Sequence, residues 1–241
     1  MALLPQQLVA HRGHRHPFPE NSLLAILDAI AAGAVNIEFD IQLTHDQVPV
    51  LYHDLSMVRL SGLEQLITQI TAAELGTAYG VEAERLGQRF SRNPIALLTD
   101  LVPIIQRNPG ITFFLEIKEE SLDTFGVDCC LQALVSAFLT LPKNLCLISF
   151  DEPAVTQAKT YGFTQTALVF RDWPRRNQLL AQTHADMGFI NYQRIPDVET
   201  ITADKPILVY EVATPELAQQ LLQRGAAAVE TFCIRQLLDY L

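Results

Sequence analysis

The chain has 241 residues, 49% of them hydrophobic and 18% charged, with a formal net charge of −10. That balance describes a globular chain long enough for a large core, and excludes a disordered one. Acidity without a long basic run argues against nucleic acid as the main partner, and no apolar stretch nears the roughly 20 residues that span a bilayer. The opening "MALLPQQLVAHRG" has no basic residue ahead of its short apolar run, so it does not read as a secretory signal and a cytoplasmic location is expected. Cys129, Cys130, Cys146 and Cys233 lack C-x-x-C metal spacing and read as small apolar residues in a reducing compartment.

Short β-rich runs alternate with helical patterns along most of the chain. "LVAHR" is followed by a helix across "SLLAILDAIAAG", capped by Asn21 or Ser22 and stopped by Gly33. Then come "NIEFDIQL", "ITFFLEIK", "NLCLISF", "QTALVF", "MGFINY", "PILVYEV" and "AAVETF", with helices predicted over residues 123–139 and 215–224 among others. Thr214 before Pro215 suits an N-cap and first-turn pair. The run "VPVLYHD" follows "NIEFDIQLT" after "HDQ", so it reads as a hairpin arm outside the count of eight strands. Eight βα units predict an α/β fold, a (β/α)8 or TIM barrel, with residues 1–241 as one domain. No G-x-G-x-x-G turn follows the first strand, which disfavours a doubly wound sheet. Residues 55–100 break the rhythm with helical pieces, glycines and no clear strand, and read as a small insertion over one end of the barrel.

Residues two apart on a strand share a face, so Glu38 and Asp40 point together, as do Glu116 and Lys118. Charges inside a barrel are costly to bury unless they lie near its C-terminal mouth, where active sites form. Two readings fit. The carboxylates pair with Lys118 and Arg12 as an ion network, or they hold a hard divalent cation such as Mg2+ or Ca2+. His11 and His53 end strands that reach the same mouth, and imidazoles there suit general acid–base work. Arg12 can offer a fixed cation to a phosphate oxygen. In "HRGHRHPFPEN", three histidines fall within six positions. A zinc site would want further nitrogen or sulfur ligands nearby, so His14 and His16 are assigned to the loop and only His11 to the chemistry. His45 and His184 read as solvated, and Ser149 lacks the G-x-S-x-G elbow of a hydrolase nucleophile.

The ordered motifs "HRG", "PEN", "E-F-D", "T-x-D-x-V-P-V-x-x-H-D", "L-E-I-K" and "SF", running from His11 to Phe150, resemble those of the glycerophosphodiester phosphodiesterases. The resemblance implies a (β/α)8 barrel that cleaves a glycerophosphodiester to sn-glycerol 3-phosphate and an alcohol. It also implies a divalent metal on Glu38, Asp40 and Glu116, with His11 and His53 as the acid–base pair. Arg12 and Lys118 would face the phosphate, Glu20 and Asn21 would shape the mouth, and Asp54 would orient His53. The glycerol 2-hydroxyl would attack, giving a cyclic phosphate that water opens. Three positions depart from the pattern: Gln47 replaces the hairpin glycine, Tyr210 a late tryptophan, and Phe232 the aspartate of a closing T-D. The last two are expected on the substrate rim. A lyso-lipid hydrolase lined by Phe114, Trp173, Phe189, Tyr192, Tyr210 and Phe232 is the nearest alternative; a non-catalytic barrel binding a phosphorylated metabolite is another.

Overall fold

The structure is a computed structural model, and residues 3–240 of the chain are described. The first strand, β1 (Leu8–Ala10), is buried throughout, as befits a parallel strand covered on both faces. The Ser22 hydroxyl accepts the Ala25 N–H to cap α1 (Leu23–Ala31), and Gly33 at φ +93° ends it. β2 (Asn36–Leu43) and β3 (Pro49–Leu51) form the expected antiparallel hairpin. Gln47 sits in its turn at φ +62°, the left-handed conformation that glycine favours, and donates its N–H to Thr44.

Three short helices follow: α2 (Val58–Ser61), α3 (Ala72–Leu75) and α4 (Ala83–Leu86). They close over an apolar cluster of their own that includes Tyr52, Met57, Leu60, Ile67 and Leu75. The barrel rhythm resumes with α5 (Leu98–Arg107) and β4 (Thr112–Ile117). The helix expected over residues 123–139 is two helices, α6 (Glu119–Phe125) and α7 (Val127–Ser136). Gly126 at φ +83° divides them, because a residue in that conformation cannot continue a right-handed helix. After them come β5 (Leu145–Ser149), α8 (Glu152–Ala158), β6 (Gln165–Val169), α9 (Arg176–Thr183) and β7 (Met187–Asn191). The chain ends with β8 (Ile207–Tyr210), α10 (Pro215–Gln223), β9 (Ala228–Thr231) and α11 (Ile234–Leu238).

Parallel pairing runs β1-β2-β4-β5-β6-β7-β8-β9, and β9 returns to β1. The chain therefore folds as a closed (β/α)8 barrel, with β3 outside the ring of eight. Between β7 and β8 the described residues form no α-helix, only a 3-10 turn at Tyr192–Arg194 and a loop that Ile195 and Ile201 anchor in the main apolar cluster. No helix among the described residues is long and apolar enough to cross a membrane.

Strand alternation divides the core in two. Ile37, Phe39, Ile41, Phe113, Leu115 and Ile117 face the helices, where they join the main apolar cluster. Val9, Phe114, Cys146, Ala167, Phe189 and Leu208 fill the barrel interior below the mouth. Gly13 lets the chain turn between the end of β1 and the start of α1. It stands at φ +73°, and a Cβ there would lie 2.7 Å from the carbonyl carbon of Ala25. G13A should cost about 2 kcal/mol or more, summing left-handed strain and overpacking, as a lowered urea midpoint would show.

Candidate active site

The same alternation that buries the core carries charge to the mouth. Glu38 and Asp40 on β2, Glu116 on β4 and Glu230 on β9 are all buried, and the β2–β4 register sets Asp40 beside Glu116. His11 and Arg12 leave the end of β1, and His53 follows β3. His11, Arg12, Asp40, His53, Glu116 and Lys118 all line one cavity of about 120 Å³. Phe150, Phe189 and Tyr210 form its apolar wall. A larger hollow of about 530 Å³ lies elsewhere, between α1 and residues 89–96, away from these charges.

Asp40 is the hub. Lys118 Nζ lies 3.3 Å from Asp40 Oδ1 and 2.6 Å from Glu116 Oε1, and Arg12 Nε lies 3.1 Å from Asp40 Oδ2. Burial opposes its ionisation, but Lys118 and Arg12 outweigh burial and hold its carboxyl well below the usual range. The same partners keep Lys118 charged against the pull of burial. Glu38 goes the other way: burial pushes it well above the usual range, and neighbouring Asp40, Glu230 and Glu116 add to the push. Burial, with Arg12 nearby, pushes the His11 imidazole well below its usual range.

Two acidic clusters have the spacing of metal ligands: Glu38, Asp40 and Glu116 in one, His11, Glu38 and Glu230 in the other. The all-oxygen donor set of the first fits a hard divalent cation. Glu38 Oε1, buried and without a partner, is the kind of atom such an ion would satisfy. His53 is oriented from behind. Its Nδ1 lies 2.5 Å from Asp54 Oδ1, and Arg59 holds Asp54 through bonds of 2.6 and 2.9 Å. A ring that uses Nδ1 in this way turns Nε2 outward, free to exchange a proton.

The sequence profile of the glycerophosphoryl diester phosphodiesterase family matches residues 11–147, the stretch that carries all of the charged and imidazole groups named above except Glu230. The chain belongs to that family. Glycerophosphodiester phosphodiesterase 1 of Mus musculus is 31% identical over 166 residues, covering 68% of this chain and 49% of its own length. A glycerophosphodiester phosphodiesterase of Bacillus altitudinis is 28% identical over 122 residues, covering 51% of this chain and 49% of its own. The chain thus spans about half the length of the curated relatives it matches. Among solved structures, an Oleispira antarctica phosphodiesterase in complex with the product sn-glycerol-3-phosphate superposes with a TM-score of 0.83, at 23% identity, over 97% of this chain and 96% of that one. A glycerophosphodiester phosphodiesterase of Thermotoga maritima gives a TM-score of 0.71 at 20% identity, over 97% of each chain. These two likenesses establish the shared barrel.

Within this family member, some expected residues stand away from the cavity wall. Glu20 and Asn21, expected to shape the substrate-binding mouth, do not line the cavity. Glu20 is buried beneath it, 2.8 Å from Arg12, 2.7 Å from Arg15 and 2.7 Å from Arg59. Asn21 donates to Asp40 Oδ2 at 2.8 Å and accepts the Asp40 N–H at 2.9 Å. Both therefore hold Arg12 and Asp40 in place. Phe232, expected on the substrate rim, stacks on the His11 ring, with centroids 4.3 Å apart and planes 9° from parallel. His14 is buried and bonded to Asp28 at 2.6 Å, while His16, His45 and His184 are exposed. Ser149 donates to Ile117 O at 2.8 Å, a structural bond.

Glu230 is the residue the sequence reading passed over. The parity argument applied to "IEFD" applies equally to "AAVETF", where Ala228 and Glu230 share the inward face. Its neighbour Phe232 drew the attention instead.

Glu20 also sets a pH limit. Burial opposes its ionisation, but Arg12, Arg59 and Arg15 prevail and lower it to about 2, from 4.5 for a free glutamate. Its stabilisation is thus complete above about pH 4.5 and disappears as pH falls toward 2. E20Q leaves three arginines short of a partner and should cost about 3 kcal/mol at neutral pH. Urea melts across the acid range should show that gap to wild type closing through the same window.

Proposed function

We propose that the chain hydrolyses glycerophosphodiesters to sn-glycerol 3-phosphate and an alcohol. The observation that carries this reading is the meeting of two imidazoles, two cationic side chains and a carboxylate cluster in one small cavity. Family membership and the activity for which its relatives are named support it. Arg12 and Lys118, each already balanced by carboxylates, present positive charge toward a phosphate without being free to leave. One imidazole takes the proton from the glycerol 2-hydroxyl as it attacks phosphorus, and the other returns a proton to the departing alcohol. Asp54 holds the His53 ring for this exchange, and Phe232 holds the face of His11. Water then opens the cyclic phosphate, with the imidazoles exchanging roles. Glu38, Asp40 and Glu116 would hold Mg2+ or Ca2+, which when bound offsets negative charge at the phosphate.

Tyr210 sits on the cavity wall and contributes to the choice of alcohol. A volume of about 120 Å³ suits glycerol and phosphate far better than a long acyl chain, which favours glycerophosphodiesters over lyso-lipids. Four free cysteines, two of them buried, fit a reducing setting such as the cytoplasm.

The test uses protein stripped by chelator and refilled with Mg2+, Ca2+ or Mn2+, then given glycerophosphocholine or a lysophospholipid. Metal-dependent release of glycerol 3-phosphate from the first is expected. No release from either substrate refutes the reading. H11A and H53A should each lower turnover by roughly 100- to 10,000-fold, with Mg2+ binding by calorimetry retained.

A further inference from the structure

Four carboxylates crowd the barrel mouth, yet the fixed cations serve only two of them. Lys118 pairs with Asp40 and Glu116, and Arg12 pairs with Asp40. Among the described residues, neither Glu38 nor Glu230 forms an ion pair with a lysine or arginine, and each keeps a buried Oε1 with no partner. Both are almost wholly buried, at 1% and 3% exposure. Glu38 Oε2 accepts the Arg12 backbone N–H at 2.9 Å, and the one side-chain nitrogen that faces both carboxylates is that of His11. His11 Nε2 lies 3.8 Å from Glu38 Oε2 and 3.9 Å from Glu230 Oε2.

Those separations are too long for hydrogen bonds. Ligand atoms about 2.1 Å from one tetrahedral ion stand roughly 3.4 Å apart, so His11 Nε2 and the two oxygens need to close by only a few tenths of an ångström to share one. The three ligand atoms also lie within 4.8 Å of one another. Glu38 belongs to this cluster and to the one with Asp40 and Glu116, and it has two oxygens to divide between them. The donor sets differ in kind. The Asp40–Glu116 side is all carboxylate and suits Mg2+ or Ca2+, whereas an imidazole nitrogen with two carboxylates prefers a borderline cation such as Zn2+.

We propose that His11, Glu38 and Glu230 form a second cation site of zinc class, sharing Glu38 with the first, and that filling it switches the enzyme off. A cation on Nε2 takes the lone pair through which His11 would exchange its proton. This inhibitory consequence rests on the acid–base reading of His11; the site itself does not.

The test starts from wild-type protein and E230Q in excess Mg2+, titrated with Zn2+ by calorimetry. E230Q removes charge from a buried, crowded position while keeping shape, and circular dichroism verifies that it folds. Wild type should take one Zn2+ beyond its Mg2+, and E230Q should bind that ion roughly tenfold more weakly or worse. A second measurement needs no substitution at Glu230. In 15N-labelled wild type, Zn2+ added over Mg2+ should shift a histidine ring resonance that H11A lacks. Zn2+ should also inhibit glycerophosphocholine turnover, at about tenfold higher concentration in E230Q. Equal zinc affinity in the two proteins, or shifts confined to other histidines, would overturn the site. Zinc bound at His11 with turnover undiminished would overturn its inhibitory role. Should no phosphodiester be turned over at all, the proposed function fails while calorimetry and ring shifts still decide the site.

Discussion

Burying negative charge at the mouth of an apolar barrel is the constraint on which the rest of this site depends. An ion taken out of water without a partner costs several kcal/mol, so Asp40 exists as a carboxylate only because Lys118 and Arg12 flank it. Each of those cations is fixed in turn. Lys118 is tied to Glu116 on its own strand end, and Arg12 to Glu20. Arg12 itself stands at φ +56°, next to Gly13, in a turn that the Asn21 N–H closes by bonding to the Arg12 carbonyl. The short motif at the end of β1 is thus a device for aiming one guanidinium into the barrel while the chain turns back toward α1.

The segment between β3 and α5 has a share in this device. Arg59 on α2 bridges Glu20 and Asp54, linking the arginine cluster under the cavity to the carboxylate that orients His53. Glu82 accepts the Glu20 N–H at 2.7 Å, and Arg85 donates to the carbonyls of Arg15, His16 and Phe18. The loop after His11 is therefore clamped by side chains some seventy residues away in sequence. A segment without strands of its own, carrying a small apolar cluster, supplies the polar framework that keeps both imidazoles at one opening.

Much of this was legible in sequence because the relevant signals are local. Strand parity put Glu38 with Asp40 and Glu116 with Lys118, and the hairpin signal placed "VPVLYHD" outside the ring. Less was legible where a signal is not local: Glu20 and Asn21 sit near His11 and Arg12 in sequence, but their partners, Arg59 and Asp40, come from other elements, and no local pattern shows that pairing. The stacking of Phe232 on the flat face of His11 likewise joins the two ends of the chain and has no local signal.

The sequence by itself determined the barrel, the family and the candidate acid–base and metal-binding residues, because period-2 alternation and short ordered motifs are written along the chain. Only the tertiary structure decided which charges neutralise one another. Pairing among Arg12, Lys118, Asp40 and Glu116 depends on distances across strands, as does the isolation of Glu38 and Glu230 around His11. Ring closure brings β9 against β1 and so sets Glu230 near His11, two residues some 220 positions apart in the chain. No local pattern encodes that meeting; it follows from eight strands closing on themselves.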